Sequence, residues 1–156
     1  MTPAVEALRA AGVTFDLLTY EHDPGAAAYG TEAAEALDLD PATVGKTLLA
    51  ETGTGLAVAV VPVTSRLDLK ALARALGVKR VTMADPAVAE RRTGYVVGGI
   101  SPFGQRHRSP TVVDQTMAGL ERVHVSGGRR GLEIGLAAAD LIAVLDATVA
   151  PLAAPA

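Results

Sequence analysis

Two apolar runs joined by a short turn constrain the fold of this chain more than any other feature of its sequence. Residues 46–51 and 56–63 are separated by Thr52-Gly53-Thr54-Gly55, a connection typical of neighbouring antiparallel strands. The second run is the longest apolar stretch of the chain, and it is too short to span a bilayer. The pattern therefore predicts a β-hairpin, and we expect no membrane association.

Further helices and strands are predicted on both sides of this hairpin. The predicted helices are 4–11, 32–37, 68–76, 85–92 and 137–145, and the predicted strands are 13–20, 79–83, 95–97, 111–114, 122–126 and 132–134. Hairpins interleaved with helices favour a mixed sheet over a purely parallel one. We therefore predict a single α/β domain over residues 1–146, followed by a frayed C-terminal tail at 147–156.

The composition limits the chemistry that the chain can perform. Cysteine is absent, which excludes disulfides, thiolate metal sites and a cysteine nucleophile. The histidines, His22, His107 and His124, are far apart and lack the spacing of metal ligands. No serine-nucleophile motif is present. We therefore expect neither a metal nor another cofactor, and the absence of cysteine and of a signal-peptide pattern fits a cytoplasmic protein.

The charge is distributed unevenly along the chain. The net charge is −3, but residues 1–65 hold two basic and nine acidic residues, whereas residues 66–156 hold twelve basic and eight acidic ones. The C-terminal part is therefore a candidate for contact with a polyanion, although the chain as a whole is expected to bind one weakly. An ordinary solvated surface explains the asymmetry equally well.

Lys46 is the first candidate for a functional side chain. The chain has 11 arginines and 3 lysines, and Lys46 follows Gly45 at the start of a strand that is predicted to be half-buried. Desolvating an ammonium group is costly unless an anionic group meets it. Lys46, with the hydroxyl of Thr47, is therefore a candidate for binding a carboxyl, carbonyl or phosphate oxygen. A strand-end lysine with its ammonium in water is the alternative.

Two glycine-rich turns lie downstream of Lys46. Gly98-Gly99-Ile100-Ser101-Pro102 and Ser126-Gly127-Gly128 offer backbone N–H groups that are suited to a carbonyl or phosphate oxygen. The first turn matches neither a P-loop nor a dinucleotide-binding fingerprint. A tight connection between strands is the alternative for each turn. Combined with Lys46, the turns predict a site for a small ligand.

Several short segments follow one another in a characteristic order and spacing. They include Thr19-Tyr20-Glu21-His22-Asp23-Pro24, Lys46-Thr47-Leu48-Leu49, Met83-Ala84-Asp85-Pro86, Val97-Gly98-Gly99-Ile100-Ser101-Pro102 and Val125-Ser126-Gly127-Gly128. In this order they resemble the YbaK family, the Cys-tRNA(Pro) deacylases, which is related to the editing domain of bacterial prolyl-tRNA synthetases. The likeness extends over nearly the whole chain, to about residue 146.

The resemblance implies a mixed, mostly antiparallel α/β fold with a partly closed sheet and flanking helices. It also implies an enzyme that acts in trans to remove cysteine from mischarged proline tRNA, with Lys46 as the catalytic residue at the aminoacyl-adenosine end. The substrate-binding residues that it implies are Tyr20, Tyr29, Thr47, Gly98, Gly99, Ser126, Gly127 and Glu133. Tyr29 stands where the family usually has phenylalanine, and Glu133 where it usually has aspartate, so both positions bear on which aminoacyl group fits.

A chain without a nucleophile and its base can still cleave an ester if the substrate supplies the nucleophile. The sulfur of a bound cysteinyl group can attack its own carbonyl and release tRNA, while the protein orients the substrate and stabilises developing charge. A weakly charged chain is not expected to select one tRNA alone. The resemblance therefore implies that the tRNA 3′ end is presented in a ternary complex with prolyl-tRNA synthetase.

Three alternatives remain open at the level of sequence. In the first, the enzyme acts on Cys-tRNA(Cys) as well as on Cys-tRNA(Pro). In the second, it deacylates another small aminoacyl-tRNA, such as alanyl-tRNA, with water as the nucleophile. In the third, the chain is a non-catalytic module that binds a nucleotide or a small anion.

Overall fold

The computed structural model describes residues 1–25 and 29–155 of the chain. Its helices are α1 (Pro3–Ala11), α2 (Tyr29–Ala36), α3 (Leu69–Leu76), α4 (Pro86–Thr93), α5 (Gln115–Ala118) and α6 (Ala138–Leu145), with a 3-10 turn at Pro41–Thr43. Its strands are β1 (Phe15–Thr19), β2 (Gly45–Glu51), β3 (Leu56–Pro62), β4 (Ser65–Leu67), β5 (Thr82–Met83), β6 (Thr111–Asp114), β7 (Arg122–Ser126), β8 (Leu132–Ala137), β9 (Thr148–Ala150) and β10 (Ala153–Pro155). None of the helices in these ranges has the length and apolarity needed to cross a membrane.

The predicted hairpin is formed by β2 and β3, and it lies at the centre of a mixed five-stranded sheet. The strand order is β5-β2-β3-β6-β9, in which β3, β6 and β9 run parallel and the other pairs are antiparallel. A second, antiparallel sheet has the order β1-β8-β7, and β4 pairs with β10. The predicted α/β class, with a mixed and mostly antiparallel arrangement, is confirmed.

The predicted partial closure of the sheet is wrong for the described residues. Strands β5 and β9 form the two edges of the five-stranded sheet. The five-stranded and three-stranded sheets meet at an isolated bridge between Val44 and His124. A single bridge does not supply the continuous ladder that a closed barrel requires, so both sheets stay open.

The apolar run of β3 is explained by burial on both of its faces. Val58 and Val60 point into the larger hydrophobic cluster, which lies between the two main sheets. Ala59 and Val61 point the other way, into a smaller cluster under α3. Since successive strand residues face opposite sides, a strand that is covered on both sides has no polar positions.

The C-terminal segment is ordered structure, and the prediction of a frayed tail is wrong for residues 147–155. Strand β9 extends the main sheet beside β6, and β10 pairs with β4. Leu152, between them, is fully buried. The side chain of Asp114 accepts hydrogen bonds from the backbone N–H groups of Leu152 and Ala153, at 2.8 and 3.0 Å. Residue 156 of the predicted tail lies outside the described residues.

The predicted strand at 95–97 is also wrong. A turn is found there instead, and this turn forms part of the site described below. These residues follow the C-terminal Gly94 of α4 and form a turn, in which the N–H of Gly99 donates to the carbonyl of Val96 at 2.8 Å. The N–H of Val97 donates to the Glu90 side chain on α4 at 2.8 Å. A side chain therefore satisfies the backbone donor that a neighbouring strand would otherwise satisfy.

Candidate functional site

A cavity of about 390 Å³ lies along the first half of β2. Strand β5 pairs only with Ala50 and Glu51 at the far end of β2. Within the described residues, the edge of β2 near residues 46–48 therefore has no neighbouring strand, and the cavity occupies that side. Its other walls come from the start of α2, from α4, from the turn at residues 97–100 and from the ends of β7 and β8.

The cavity brings together seven of the nine residues that the sequence analysis assigns to a site. These residues are Tyr20, Tyr29, Lys46, Thr47, Gly98, Ser126 and Glu133. They come from six separate segments of the chain, and the cavity is where those segments meet. The remaining lining is largely apolar, and it includes Leu49, Val63, Ala89 and Ile100. An apolar pocket with a few polar groups is typical of a small-molecule site.

Gly99 and Gly127 do not line this cavity, and their N–H groups are already used within the protein. Gly99 donates to Val96, and Gly127 donates to the carbonyl of Leu132 at 2.8 Å. A Cβ atom at Gly127 would lie 2.6 Å from the Leu132 side chain. The expectation that these two amides face a ligand is therefore wrong, and Gly127 instead permits close packing.

Lys46 supplies the positive charge of the cavity. It lies opposite Val61 in the hairpin and is half-buried. Burial lowers the pKa of its ammonium below the ordinary value of 10.5. Neither of the two ion pairs found in the described part of the chain involves Lys46. Among the described residues no carboxylate lies within ion-pair distance of this ammonium group, which suits it to an oxygen of a ligand.

Two polar atoms in the cavity wall are buried without a hydrogen-bond partner in residues 1–25 and 29–155. They are the Oγ1 of Thr47 and the Oε2 of Glu133. Leaving a buried polar atom unsatisfied costs about 1–3 kcal/mol, so such atoms are rare in folded proteins. Thr47 and Glu133 both line the same cavity as Lys46, so these two atoms are candidates for hydrogen bonds to a polar ligand.

Glu133 is the most perturbed acid of the site. It is 5% exposed on β8, and burial raises its pKa to about 8. Ser126 is its cross-strand partner on β7, and the Ser126 Oγ accepts from the N–H of Gly128 at 3.2 Å. The Ser126 hydroxyl keeps its own proton for donation. Around neutral pH the pair can therefore present a carboxyl group and a hydroxyl donor side by side.

Tyr20 and Tyr29 form aromatic parts of the wall. Burial is the main reason that the pKa of Tyr20 lies above its ordinary value. The ring of Tyr29 lies close to two other side chains. The guanidinium carbon of Arg130 is 4.6 Å from its centroid, and the ring centroid of His22 is 5.7 Å from it. The Nδ1 of His22 is 2.8 Å from the Oε1 of Glu32.

Sequence reasoning missed Arg130 and His22. His22 lies within one segment of the family pattern and Arg130 closely follows another, but nothing in the local sequence shows that either side chain packs near Tyr29. As for metals, the described residues contain no group of three or more histidine, aspartate or glutamate side chains placed to hold an ion.

Comparison with known proteins finds a family that this chain matches. Residues 23–144 match the family model described as "Aminoacyl-tRNA editing domain". The chain is 40% identical over 105 residues to the "Putative Cys-tRNA(Pro)/Cys-tRNA(Cys) deacylase EbsC" of Enterococcus faecalis. That match spans 67% of this chain and 64% of the relative, so it covers less than two thirds of the relative's length.

Solved structures share the whole fold. The crystal structure of a "hypothetical protein" aligns with a TM-score of 0.87 and 26% identity, covering 97% of this chain and 99% of the other. That of "a putative trans-editing enzyme for prolyl tRNA synthetase" aligns with a TM-score of 0.83 and 25% identity, covering 97% of this chain and 95% of the other. The open, mixed-sheet architecture is therefore shared over nearly the full length of these chains.

Proposed function

Because the chain belongs to the aminoacyl-tRNA editing-domain family, we propose that it is a trans-acting deacylase that removes cysteine from mischarged Cys-tRNA(Pro). The names of the Enterococcus faecalis relative and of the trans-editing structure support this choice of substrate. The observation that carries the proposal is the Lys46 ammonium, which makes no ion pair within residues 1–25 and 29–155, in a cavity whose lining residues Thr47 and Glu133 each have an unsatisfied polar atom.

The cavity has the size and polarity for an aminoacyl ester. A volume of about 390 Å³ accommodates a small aminoacyl group with part of the terminal adenosine, but not a folded acceptor stem. In our proposal the Lys46 ammonium and the Thr47 hydroxyl bind oxygen atoms at the ester end, where negative charge develops during cleavage. Preorganised donors of this kind act most strongly in a site from which water is excluded.

Glu133 is the natural partner for the α-ammonium group of the substrate. Its Oε2 lacks a protein partner, and it lies beside Ser126 in the cavity wall. A bound ammonium would stabilise the carboxylate and lower the pKa of Glu133 from its raised value, which would offset the desolvation of both groups. The site would then bind the aminoacyl ester at two points, with a cation at one end and an acid at the other.

We further propose that the substrate thiol acts as the nucleophile. The sulfur forms a bond to the carbonyl carbon of its own cysteinyl group, the bond from that carbon to the ribose oxygen breaks, and the thiol proton passes to the departing oxygen. The products are a cysteine thiolactone and tRNA with a free 3′ end. The protein contributes orientation and charge stabilisation, which agrees with the lack of a cysteine in the chain.

The tRNA is proposed to arrive in a complex with prolyl-tRNA synthetase. The chain carries a net charge of −3, which gives little general affinity for a polyanion. Co-sedimentation of the chain with tRNA, with synthetase and with both together tests this point. Equally strong binding of tRNA by the chain alone would contradict the ternary complex.

A single-turnover deacylation panel tests the proposed function. The substrates are Cys-tRNA(Pro), Ala-tRNA(Pro), Pro-tRNA(Pro) and Cys-tRNA(Cys), each with protein in excess. We expect loss of cysteine from tRNA(Pro) and retention of proline. Preferential loss of alanine would indicate a water-dependent deacylase, and no loss from any substrate would favour a non-catalytic binding module.

A further inference from the structure

We propose that Arg130 is a positioning residue, which holds the turn at residues 96–99 against the cavity and thereby places the part of the wall that contains Gly98. The proposal rests on the proposed deacylase function for its kinetic consequences. Arg130 lies in the loop between β7 and β8, and neither the family pattern nor the motifs of the sequence assign it a role.

The contacts of Arg130 join two walls of the cavity. Its Nε and one terminal nitrogen donate to the carbonyl of Val97, at 3.2 and 2.6 Å. The guanidinium plane also covers the ring of Tyr29, with the central carbon 4.6 Å from the ring centroid. A planar group with forked donors can make both contacts at once, whereas a lysine ammonium cannot. Tyr29, Val97 and Gly98 all line the cavity.

Gly98 is enclosed by these contacts. A Cβ atom at this position would lie 2.7 Å from the Arg130 Nε and 2.8 Å from the Tyr29 ring. Its φ of +91° is also a conformation that favours glycine. The backbone at Gly98 therefore occupies a fixed position between the arginine and the aromatic ring, and within the described residues its N–H makes no hydrogen bond.

A second anchor holds the same turn from the opposite side. The side chain of Glu90 on α4 accepts a hydrogen bond from the N–H of Val97 at 2.8 Å. Val97 is thus held through its carbonyl by a cation and through its N–H by an anion. If the position of the turn matters for catalysis, removing either anchor should have the same effect, although the two changes alter the charge in opposite directions.

Because the two anchors carry opposite charges, variants of both distinguish a positioning role of Arg130 from electrostatic attraction of RNA. Arg130→Ala and Glu90→Ala are compared with Arg129→Ala, a matched control that removes an exposed arginine without side-chain hydrogen bonds in the described part of the chain. Steady-state kinetics on Cys-tRNA(Pro) measures kcat and KM for each full-length variant. We expect Arg130→Ala and Glu90→Ala each to lower kcat by roughly 10-fold with little change in KM. Arg129→Ala should leave kcat at the wild-type level.

Hydrogen exchange supplies a readout that does not depend on activity. The N–H of Gly99 is bonded within the turn, so loss of either anchor is expected to speed its exchange by about tenfold, with Arg129→Ala unchanged. If Arg130→Ala does not fold, Arg130→Lys is used in its place, because lysine keeps the positive charge but lacks the planar pair of donors that the guanidinium group provides. If the wild type deacylates nothing, the proposed function fails, and this exchange comparison alone decides whether Arg130 holds the turn.

Two results would overturn the proposal. One is a similar rise in KM for Arg130→Ala and Arg129→Ala, with Glu90→Ala fully active, which would make Arg130 a simple phosphate contact. The other is wild-type exchange at Gly99 in both anchor variants, which would show that the turn keeps its position without them.

Discussion

Ser126 and Glu133 are directly opposite one another on β7 and β8, so their side chains project from the same face of the sheet into the cavity. The core-facing residues of the same two strands alternate with them and are fully buried, as Val125 and Ile134 show. The antiparallel register therefore gives the site a serine and an acid, while the opposite face of the strands supports the hydrophobic core.

Glu133 is expected to make the free protein less stable as the pH rises. Its ordinary pKa is 4.5 and its folded pKa is about 8, so between these values the folded state holds a proton that the unfolded state has lost. This group alone therefore reduces the free energy of unfolding by up to about 1.4 kcal/mol per pH unit across that window. Glu133→Gln should flatten the dependence, as measured by urea unfolding at pH 5, 7 and 9. Parallel pH profiles for the two proteins would show that the carboxyl is not desolvated.

Asp114→Asn is expected to loosen the C-terminal strands. Burial acts to raise the pKa of Asp114, but hydrogen bonds from Thr116, Leu152 and Ala153 outweigh it and lower the pKa below 3.8. An amide has one acceptor oxygen where the carboxylate has two, so some of these donors would lose their partner. We expect a loss of about 2–4 kcal/mol in the free energy of unfolding at pH 7.

The pH dependence provides the check on Asp114. The stabilisation by the carboxylate is complete above its ordinary pKa of 3.8 and is lost as the pH falls through the lower pKa of the folded state. The difference between wild type and Asp114→Asn should therefore shrink in acid, as followed by urea unfolding between pH 7 and pH 2. A constant difference across this range would show that the carboxylate charge contributes nothing.

Deacylation is expected to require the sulfur of the substrate. Since the thiol forms the new bond to the carbonyl carbon, Ser-tRNA(Pro) and Ala-tRNA(Pro) should be cleaved far more slowly than Cys-tRNA(Pro). Mass spectrometry of the quenched reaction should detect a cysteine thiolactone before free cysteine. Equal rates for the three substrates, with incorporation of solvent ¹⁸O into the first product, would instead indicate hydrolysis by water.

Much of the fold is predictable where local patterns and burial agree. The β2–β3 hairpin follows from its apolar runs and turn, and α3 follows from its capping residues, because Asp68 accepts hydrogen bonds at its start and Gly77 is left-handed at its end. The C-terminal strands are not predictable in this way. Their short, alanine-rich segments carry little periodicity, and their partners, which are strands β6 and β4 and the side chain of Asp114, are far away in the sequence.

The site, like the fold, has some features that the local sequence predicts and others that it does not. Lys46 is recognisable from local sequence, since a lone lysine after a glycine at the start of an apolar strand indicates a desolvated charge. Gly99 and Gly127 look like ligand-binding amides in the sequence, but their N–H groups are used by carbonyls that only the three-dimensional turns bring close. The contact between Arg130 and Tyr29 joins residues about a hundred positions apart, and no spacing rule predicts it.

The comparison of Lys46→Ala with Lys70→Ala tests the central claim most directly, because it removes one lysine from the cavity and one from an exposed helix position. Both variants should keep the wild-type free energy of unfolding to within about 0.5 kcal/mol. Single-turnover deacylation of Cys-tRNA(Pro) is expected to fall by roughly 10²-fold or more in Lys46→Ala and to stay at the wild-type rate in Lys70→Ala. A folded Lys46→Ala protein that deacylates Cys-tRNA(Pro) at the wild-type rate would contradict the account.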